Sequence, residues 1–502
     1  MNLFLSKEKI EPSDKVRNFL KTRQQLYING EWVDGSQNKY YTTLNPATGE
    51  ILSEVREGGA KDIQNAVLAA TTAFEDSEWR GFSIEERADT LRSIADLILK
   101  NREDLAVLET LDTGKPISES YDGDILRSAS NFQFFADYSK EIQDLEFKND
   151  RETHTAFREP LGVVALVTPW NLPLYLETWK IAPALLMGNS IVLKPSELTP
   201  LTASYFTHLL HQSGILPRGV FNLVHGFGEN SAGEALVSHP GVNGISFTGE
   251  TSTGRAIMRS AAIGPTRVSF ELGGKGASVV FQSADIDSAV SEIVRAGFRN
   301  QGEICLATPR ILVEESCYEE FKEKLLEGVR EINLGDPLTT STTMGALISE
   351  GHYEKVMGYL EKVEPPAKIL LGGKRPPHLP TGNFLEPTVI EGLSENHPVS
   401  CEEVFGPVIS LHPFKGEEAA VKLVNATPYG LSASIYSQDV KQIERVSRQI
   451  RIGLVWVNCW FARDLRVPFG GQKRSGIGRE GGKWSLDFFS EWKSICVRNN
   501  GK

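Results

Sequence analysis

Two short segments carry the side chains best suited to covalent catalysis. Segment 300–305, NQGEIC, ends on Cys305, whose thiol is a nucleophile wherever its surroundings lower its pKa. Segment 270–274, FELGG, places Glu271 before two glycines, which leave its carboxylate room to swing as a general base used in one step of a cycle. Cysteine is also common as a small core residue, so the thiol by itself leaves its role open.

A third segment, 168–173 or TPWNLP, holds Asn171 between two prolines directly after an apolar run. Proline fixes the backbone angle φ, so the amide of Asn171 sits in a rigid loop and could donate to a developing oxyanion. The alternative is a purely structural turn.

Two further turns carry residues suited to a dinucleotide. Segment 249–254, GETSTG, lies between a predicted strand and a helix, where small residues let the backbone approach a pyrophosphate at the helix N-terminus. In segment 194–197, KPSE, Glu197 could accept hydrogen bonds from both ribose hydroxyls and would repel a 2′-phosphate, which favours NAD over NADP. Taken singly, the first also fits an ordinary tight turn and the second an ordinary helix start.

The composition limits the class of protein. The 502 residues are 40% hydrophobic and 24% charged with a net charge of −12, which fits a globular chain of several domains and opposes a nucleic-acid partner. Five cysteines without a CxxC pair, and nine histidines without an HxH or HxxxH pair, indicate neither a disulfide framework nor a metal site. No apolar run reaches the roughly 18 residues of a membrane span, and the first residues lack a signal-peptide core. We therefore expect a cytoplasmic protein without a membrane partner.

The order of predicted elements gives the fold class. From Asp62 to about Ser118 the apolar residues recur at helical spacing. From Gly162 onward, short runs rich in β-branched residues alternate with helical stretches, which predicts parallel strands in a doubly wound α/β sheet. The predicted strands are VVALVTP, SIVLKPS, VFNLVHG, GISFTGE, RVSFELGG and ASVVF, with helices near 179–188, 200–213, 229–238, 252–261 and 285–299. A second α/β run has predicted strands at 308–313 and 454–458 and helices near 316–330, 352–363 and 416–425, interrupted by a Gly/Pro-rich stretch at 372–387.

Taken together, the motifs occur in an order that resembles the aldehyde dehydrogenase superfamily. They are PWN, KPSE, FTGxTxxG, FELGGK, NQGEIC, EEVFGP and PFGGxKxSGIGRE, and they span positions 169–480. The form FTGET and two longer stretches are similar to the 2-hydroxymuconate and 2-aminomuconate semialdehyde dehydrogenases of aromatic-ring catabolism. These stretches are WNLPLYLETWKIAPALLMGNSIVLKPSELTP and NCWFARDLRVPFGGQKRSGIGREGG.

The resemblance implies an α/β protein in three parts. A Rossmann-like NAD-binding domain would comprise residues 24–140 and 161–272, an α/β catalytic domain residues 273–472, and a small β oligomerisation module residues 141–160 and 485–502. Extended end segments have edges that need partners, so we expect a homodimer or homotetramer, the alternative being a monomer with a covered edge. The charged first 23 residues or so carry no assignable motif.

The resemblance also implies the roles of individual residues. Cys305 would attack an aldehyde, the amide of Asn171 with the Cys305 backbone N–H would hold the oxyanion, and hydride would pass to NAD. Glu271 would activate the water that hydrolyses the thioester. The implied cofactor contacts are Trp170, Lys194, Glu197, Gly249, Thr251, Glu403 and Phe405. Glu250 stands where the family has serine, which puts a hydroxyl bond to the pyrophosphate in doubt, while Lys180 and Glu480 match positions near a proton path.

A muconate semialdehyde carries a carboxylate opposite its aldehyde, and arginine binds a carboxylate with two parallel hydrogen bonds. Arg127, on a predicted helix, and Arg466, in the loop before PFGG, are our candidates, with Arg463 a less favoured third. In the alternative interpretation these arginines form ion pairs with acids such as Asp124 or Asp464.

Three other functions compete. A broad-specificity aliphatic or betaine-type aldehyde dehydrogenase would use the same residues on another small-molecule aldehyde. A coenzyme-A-acylating relative would pass the thioester to a thiol and would not need the hydrolytic Glu271, so that residue argues against it. A catalytically silent relative would lack the nucleophile or Asn171, and the sequence retains both.

Overall fold

A computed structural model describes residues 4–76 and 78–499 of the chain. Its helices are α1 (Asp14–Lys21), α2 (Ala60–Asp76), α3 (Ile84–Lys100), α4 (Arg102–Thr113), α5 (Ile117–Glu119), α6 (Leu126–Tyr138), α7 (Pro173–Leu186), α8 (Leu201–Ser213), α9 (Ala232–Val237), α10 (Thr251–Ala261), α11 (Ile286–Phe298), α12 (Tyr318–Arg330), α13 (Glu350–Leu360), α14 (Pro398–Cys401), α15 (Gly416–Asn425), α16 (Val440–Gln449) and α17 (Gly482–Phe488). A π-helical turn, Ser120–Ile125, joins α5 to α6. None of the helices in the described ranges is long and apolar enough to cross a membrane.

The larger sheet contains the first strands that the sequence predicts. Its order is β2 (Glu31–Val33), β1 (Leu26–Ile28), β9 (Phe221–Leu223), β8 (Ser190–Lys194), β7 (Val163–Val167), β10 (Gly244–Thr248), β11 (Arg267–Glu271) and β21 (Gly476–Ile477). The five strands from β9 to β11 in this order are parallel, and β1 and β21 flank them antiparallel. Every residue of β7, β8 and β10 is buried, as expected for a parallel sheet covered on both faces.

A second, mostly parallel sheet follows later in the chain. Its order is β14 (Lys368–Leu371), β15 (Thr388–Glu391), β16 (Val408–Phe414), β13 (Arg310–Glu314), β12 (Ala277–Val280), β18 (Ser432–Tyr436) and β19 (Leu454–Val457). Of these seven strands, β12, β13 and β19 were predicted from the sequence, whereas β14, β15, β16 and β18 were not. In β18 two buried serines alternate with apolar residues, so the segment lacks a dense β-branched run.

A small antiparallel sheet pairs the last strand with two strands from the middle of the chain. Its order is β22 (Ser490–Arg498), β6 (Glu152–Pro160) and β5 (Leu145–Lys148). It carries the exposed apolar side chains Leu145, Phe147, Trp492, Ile495 and Val497. Two further ribbons pair β3 (Tyr40–Leu44) with β4 (Ile51–Arg56), and β17 (Tyr429–Gly430) with β20 (Gln472–Lys473).

The start of the chain packs on both halves of the fold. Phe4, Ile10 and Val16 are buried in the core that α3, α4, α6 and α7 share. The backbone N–H of Ile10 donates to the carbonyl of Leu338 at 2.9 Å. Residues 4–21, which carried no motif, therefore connect the helices beside the larger sheet to a loop beside the second sheet.

The largest difference between a predicted and an observed helix boundary is at the start of α7. The helix expected at 179–188 begins earlier, at Pro173, directly after the Trp170-Asn171 segment. Proline is favoured in the first turn of a helix because the N–H that it lacks would have no partner there. The loop that carries Asn171 is consequently short and ends on a rigid helix start.

Candidate active site

The site lies where the strand order of the larger sheet reverses. From β7 the chain proceeds through β8 to β9 on one side, and then returns to β10 and β11 on the other. At such a reversal the loops leaving two neighbouring parallel strands diverge and open a crevice at their carboxyl ends. Here those loops are the Trp170-Asn171 segment after β7 and the Gly249-Glu250 turn after β10.

A cavity of about 500 Å³ occupies this crevice and extends towards the second sheet. Its lining combines motifs that are far apart in the sequence: Pro169, Trp170, Asn171, Leu176, Thr248, Gly249, Glu250, Thr251, Glu271, Leu272, Gly273, Cys305, His352, Lys355, Tyr359, Glu402, Glu403, Phe405 and Tyr429. The three residues predicted to perform catalysis therefore share one cavity with the predicted phosphate turn.

The loop before Cys305 has an unusual backbone. Asn300, Gln301 and Gly302 have φ values of 49°, 55° and 71°, all in the left-handed region. Gly302 is required here for a second reason, since a Cβ at this position would lie 2.3 Å from the carbonyl oxygen of Gly406. The left-handed turn thus packs against the segment that follows Phe405 and leads the chain into the cavity at Cys305.

The two glycines after Glu271 have a different role from the one predicted. We expected them to give Glu271 freedom to move. In the structure, a Cβ at Gly273 would lie 2.1 Å from Oε2 of Glu403, and one at Gly274 would lie 2.6 Å from the carbonyl of Cys305. The glycine pair therefore lets the Cys305 loop and the Glu403 side chain approach the end of β11.

Asn171 is buried, and both its side-chain amide and its backbone carbonyl are hydrogen-bonded. Its side-chain Nδ2 donates to the carbonyl of Glu303 at 2.8 Å, two residues before Cys305. Its backbone carbonyl accepts from Nδ2 of Asn300 at 3.1 Å and from Nζ of Lys115 at 2.8 Å. The amide is consequently aimed at the cysteine loop, as an oxyanion donor must be.

Glu271 is buried at the end of β11, and neither carboxylate oxygen has a hydrogen-bond partner among the described residues. Burial raises its pKa well above the usual value, and the nearby Glu480 raises it further, whereas Lys180 lowers it. Lys180 is itself fully buried and donates to Glu480 at 2.7 Å and to Oγ of Ser246 at 2.9 Å. A carboxyl group that is deficient in partners therefore lies next to a buried ion pair.

The pKa of the Cys305 thiol is also raised. Burial raises its pKa to about 12, with further contributions from Glu403 and Glu271, while Arg463 acts in the opposite direction. In this state the sulfur is a neutral thiol at physiological pH. Nucleophilic attack therefore requires a base or an additional positive charge in the cavity.

The residues predicted to bind a cofactor fall into two groups. Glu403, whose Oε1 accepts from the N–H of Gly274 at 2.7 Å, lies near Cys305, and the ring of Phe405 packs edge-on against Trp170 at 5.3 Å. Lys194 and Glu197 lie one strand beyond, at the end of β8, with Nζ and Oε2 3.6 Å apart. Nζ of Lys194 donates to the carbonyls of Pro195 and Gly226, both at 2.7 Å, so its position is fixed.

The β10–α10 turn has the features of a phosphate site. The helix α10 begins at Thr251, and its N-cap residue, Glu250, makes no side-chain hydrogen bond to the free N–H groups of the first turn. The carboxylate of Glu250 is exposed. A Cβ at Gly249 would lie 2.5 Å from the ring of Phe247, so a larger residue at this turn would displace that ring.

The three candidate arginines differ in their surroundings. Arg466 is exposed and forms an ion pair with Asp464, as the alternative interpretation anticipated. Arg127, on α6, is half-buried, and within residues 4–76 and 78–499 its guanidinium has no hydrogen-bond or ion-pair partner. Asp124, its suggested alternative partner, pairs with Lys115 instead.

Arg463 is half-buried and packs among aromatic rings. It donates to the hydroxyl of Tyr175, and its guanidinium lies 4.6 Å from the ring centre of Trp179 and 4.2 Å from that of Phe469. Its charge lowers the pKa of both Cys305 and Glu271. This arginine therefore lies close enough to Cys305 and Glu271 for its charge to act on both.

Comparison with known proteins agrees with this geometry. The model of the aldehyde dehydrogenase family matches residues 32–495. The chain belongs to the aldehyde dehydrogenase family.

Relatives of this aldehyde dehydrogenase have closely similar lengths. It is 44% identical over 481 residues to the 2-hydroxymuconic semialdehyde dehydrogenase of Pseudomonas sp. strain CF600, covering 94% of this chain and 99% of that one. It is 44% identical over 483 residues to the 2-aminomuconic semialdehyde dehydrogenase of Danio rerio, covering 94% and 98%. The NAD+ complex of an aldehyde dehydrogenase from Bacillus cereus superposes with a TM-score of 0.95 at 37% identity, covering 98% and 99%. The aldehyde dehydrogenase fold and the membership in this family of oxidoreductases, both expected from the motifs, are confirmed.

Sequence reasoning missed several residues of the aldehyde dehydrogenase cavity. His352 is the clearest case: its Nε2 lies 2.7 Å from the carbonyl of Phe405, and its ring packs against Trp170 at 5.4 Å. As an isolated histidine on a helix it gave no signal in the sequence. Outside this cavity, His225 is fully buried, with Nε2 2.9 Å from Oγ of Ser204. No group of three or more His, Cys, Asp or Glu in the described part of the chain could hold a metal ion.

Proposed function

We propose that this enzyme is an NAD-dependent dehydrogenase that oxidises a muconate-type semialdehyde to the corresponding carboxylate in aromatic-ring catabolism. The observation that supports this most strongly is that Cys305, Glu271 and Asn171 line the same cavity as the Gly249-Thr251 turn. Nucleophile, base, oxyanion donor and phosphate site are thereby within the reach of one extended dinucleotide and one small aldehyde.

The residues at the crevice fit NAD. The free N–H groups at the start of α10 and the tight Gly249 turn suit a pyrophosphate, and the buried hydroxyl of Thr248 has no partner among the described residues. Glu197 would bind the adenosine ribose together with Lys194, while Glu403, Phe405 and Trp170 would hold the nicotinamide end. Bound NAD+ would supply the hydride acceptor and a positive charge close to the thiol.

Cys305 would begin the reaction. Its sulfur would lose its proton to water in the cavity and form a bond to the aldehyde carbon, and the carbonyl oxygen would become an oxyanion. The amide of Asn171 and the backbone N–H of Cys305 would stabilise that oxyanion. Collapse of the tetrahedral adduct would transfer its hydride to the nicotinamide that Glu403, Phe405 and Trp170 would hold, and would leave a thioester on Cys305.

Glu271 would complete the cycle. Its carboxylate removes a proton from water, the hydroxide attacks the thioester, and the carbon–sulfur bond breaks to release the acid and the thiol. Because burial raises the pKa of Glu271, it is a stronger base than an ordinary glutamate once ionised. The Lys180–Glu480 pair beside it would carry the proton away from the site.

The substrate assignment rests on the named relatives and on Arg127 and Arg466 as carboxylate ligands. Arg127 is the stronger candidate of the two, because its guanidinium has no competing acid within the described residues. Arg466 would have to share its charge with Asp464. Arg463 would shape the wall of the pocket and support the thiolate.

We further propose that the chain is cytoplasmic and forms a homodimer or homotetramer through residues 141–160 and 485–502, of which 500–502 lie outside the described residues. The exposed apolar side chains of β5 and β22 support this assignment. The boundaries 24–140 with 161–272, and 273–472, remain our proposed domains for NAD binding and catalysis.

A panel of aldehydes tests the function. Initial rates of NADH formation would be compared for a 2-hydroxymuconic semialdehyde, an aliphatic aldehyde of similar length and betaine aldehyde, each with NAD+ and NADP+. We expect kcat/KM to be highest for the carboxylate-bearing semialdehyde with NAD+. Preference for betaine aldehyde would indicate the betaine-type alternative. NADH formation that depends on added coenzyme A would indicate the acylating relative. If no aldehyde gave NADH, the protein would be the catalytically silent relative.

A further inference from the structure

A buried lysine lies directly behind Asn171 and has no part in the steps above. The side chain of Lys115 is fully buried. Its Nζ donates to the backbone carbonyl of Asn171 at 2.8 Å and to Oδ2 of Asp124 at 2.6 Å, and lies 4.0 Å from Oε1 of Glu109. A buried ammonium is tolerated only when it is paired and hydrogen-bonded, and here one of its partners is the backbone of the oxyanion donor.

The local structure fixes the position of this lysine. Helix α4 ends at Thr113, and Gly114, with φ of 78°, turns the chain so that Lys115 points into the core. Asp124 comes from the π-helical turn Ser120–Ile125, a type of irregularity that is common at functional sites. Neither partner is on the surface, so both hydrogen bonds of the ammonium are shielded from water.

The turn at Gly114 is also attached to the cysteine loop. The N–H of Ala346 donates to the carbonyl of Gly114 at 3.1 Å, and the N–H of Gly345 donates to Oε1 of Gln301 at 3.2 Å. A Cβ at Gly345 would lie 1.9 Å from the Gly114 carbonyl oxygen, so no other residue fits there. Lys115 thus sits on a turn that is connected to the cysteine loop through Gly345 and Ala346.

The carbonyl of Asn171 receives a second donor, Nδ2 of Asn300 at 3.1 Å. Two donors on one carbonyl fix the plane of that peptide group and thereby the direction of the adjoining side chain. For Asn171 that direction decides whether Nδ2 points at the Cys305 loop.

We propose that Lys115 is a positioning residue that orients the oxyanion donor Asn171 through its backbone carbonyl, with Asp124 holding the lysine in place. The proposal rests on the proposed function, in which the Asn171 amide stabilises the oxyanion. It differs from a structural role, in which Lys115 only neutralises the buried carboxylates of Asp124 and Glu109.

The test uses the full-length enzyme and the double variant Lys115→Gln/Asp124→Asn, which removes both charges of the 2.6 Å pair and leaves Glu109, 4.0 Å from Nζ, as the remaining carboxyl group beside it. The measurement is the rate of the first NADH turnover at saturating NAD+ and aldehyde. Displacing an oriented group by about 1 Å costs on the order of 100-fold in rate, so we expect the burst to slow by about 10-fold to 100-fold. KM for the aldehyde, NAD+ affinity and the alkylation rate of Cys305 by iodoacetamide should stay within about twofold, because none of these needs the oxyanion donor.

Asp112→Asn is the matched control. Asp112 is a buried carboxylate on the same helix as Glu109, but it accepts from Oγ1 of Thr43 and the N–H of Leu201 and does not contact Lys115 or Asn171 in the described structure. Its burst should match that of the unaltered enzyme. If Lys115→Gln/Asp124→Asn gives a normal burst, or slows the burst no more than Asp112→Asn does, the proposal is wrong.

A double-mutant cycle separates this proposal from the proposed function. In an Asn171→Ala background, Lys115→Gln/Asp124→Asn should cause no additional loss, because the group that it orients is absent. If the rate loss of the combined variant equals the product of the two separate rate losses, Lys115 has a structural role and the proposal is wrong. A normal burst in Asn171→Ala alone would instead show that Asn171 is not the oxyanion donor. That result would reject both the proposed role of Asn171 in the reaction and the proposed role of Lys115 in orienting it.

If the double variant does not fold, Lys115→Arg takes its place. The variant keeps the charge but presents a planar fork, which cannot reproduce the single Nζ between Asp124 and the Asn171 carbonyl. We expect a burst slowed by at least about fivefold with KM unchanged. An unchanged burst in the folded Lys115→Arg enzyme would overturn the proposal.

Discussion

The side-chain amide of Asn171 donates a 2.8 Å hydrogen bond to the carbonyl of Glu303, although the two residues are 132 positions apart in the chain. Asn171 follows a strand of the larger sheet, and Glu303 precedes the cysteine that enters from the second half of the fold. The donor is therefore oriented before any substrate arrives. Preorganisation of this kind avoids the energetic cost of reorienting dipoles during the reaction.

Replacing the nucleophile should separate chemistry from binding. We expect Cys305→Ala to abolish NADH formation, because no thiohemiacetal can form, and to leave NAD+ affinity within about twofold. Stopped-flow absorbance at 340 nm would measure the first, and quenching of intrinsic tryptophan fluorescence the second. Substantial turnover by Cys305→Ala would remove this thiol from the mechanism.

The role of Glu271 predicts a different kind of failure. In Glu271→Gln one NADH per site should form in a burst, followed by a trapped acyl-enzyme, because hydride transfer precedes hydrolysis. Intact-protein mass spectrometry would detect the acyl group on Cys305. Steady turnover with no adduct would show that another base serves deacylation.

The pH dependence of deacylation follows from the burial of Glu271. Its pKa is raised, so the carboxylate ionises at higher pH than an ordinary glutamate. In the unaltered enzyme, kcat limited by deacylation should rise with pH through an apparent pKa above about 4.3, the usual value for glutamate. In Glu271→Gln this rise of kcat with pH should be absent, whereas the burst of NADH should remain. A profile that is flat from pH 5 upward would contradict the raised pKa.

Cofactor choice should depend on Glu197. Its carboxylate lies 3.6 Å from the ammonium of Lys194, one strand away from the cavity. Glu197→Gln removes the charge that would repel a 2′-phosphate, and we expect the preference for NAD+ over NADP+ in kcat/KM to fall by about tenfold. Equal efficiency of the two cofactors in the unaltered enzyme would already contradict this assignment.

The three arginines should give three distinct results. Arg127→Ala should raise KM for a carboxylate-bearing semialdehyde by about 10-fold to 100-fold while barely affecting a neutral aldehyde. Arg466→Ala should have the same selectivity but a smaller effect, because Asp464 already neutralises this guanidinium. Arg463→Ala should reduce activity on both substrates, since its charge lowers the pKa of Cys305. If the Arg127 and Arg466 variants lost activity equally on both aldehydes, or lost none, these two arginines would have structural roles only.

Stability at low pH should depend on His225. Burial lowers its pKa to about 3, so it is neutral when folded and takes up a proton on unfolding at any pH between that value and about 6.5. The unfolded state then binds more protons, and the free energy of unfolding falls by about 1.4 kcal/mol per pH unit as the pH decreases through this window. Urea unfolding of His225→Gln and of the unaltered enzyme at pH 4, 5 and 6 should show a shallower decline for the variant. Parallel declines would indicate that His225 is protonated in the folded state.

Local sequence determined most of the parallel sheet and the chemistry-bearing residues. Val163–Val167, Ser190–Lys194 and Gly244–Thr248 are short apolar runs bounded by turn residues, so each strand could be recognised without knowing its neighbours. Cys305, Glu271 and Asn171 lie in motifs whose order resembles that of one family, and the family assignment was confirmed.

Only the tertiary structure decided how these residues meet. The contact between Lys115 and Asn171 joins positions 56 residues apart, and no pattern near either one predicts it. Gly273 and Gly274 were interpreted as flexibility, whereas packing shows that they admit Glu403 and the Cys305 loop. The spacing of residues in the sequence indicates which backbone conformation is locally favoured and which face of a helix or strand is apolar. Which side chains are buried against each other depends on where distant strands and loops are placed, and that was determined by the folded chain as a whole.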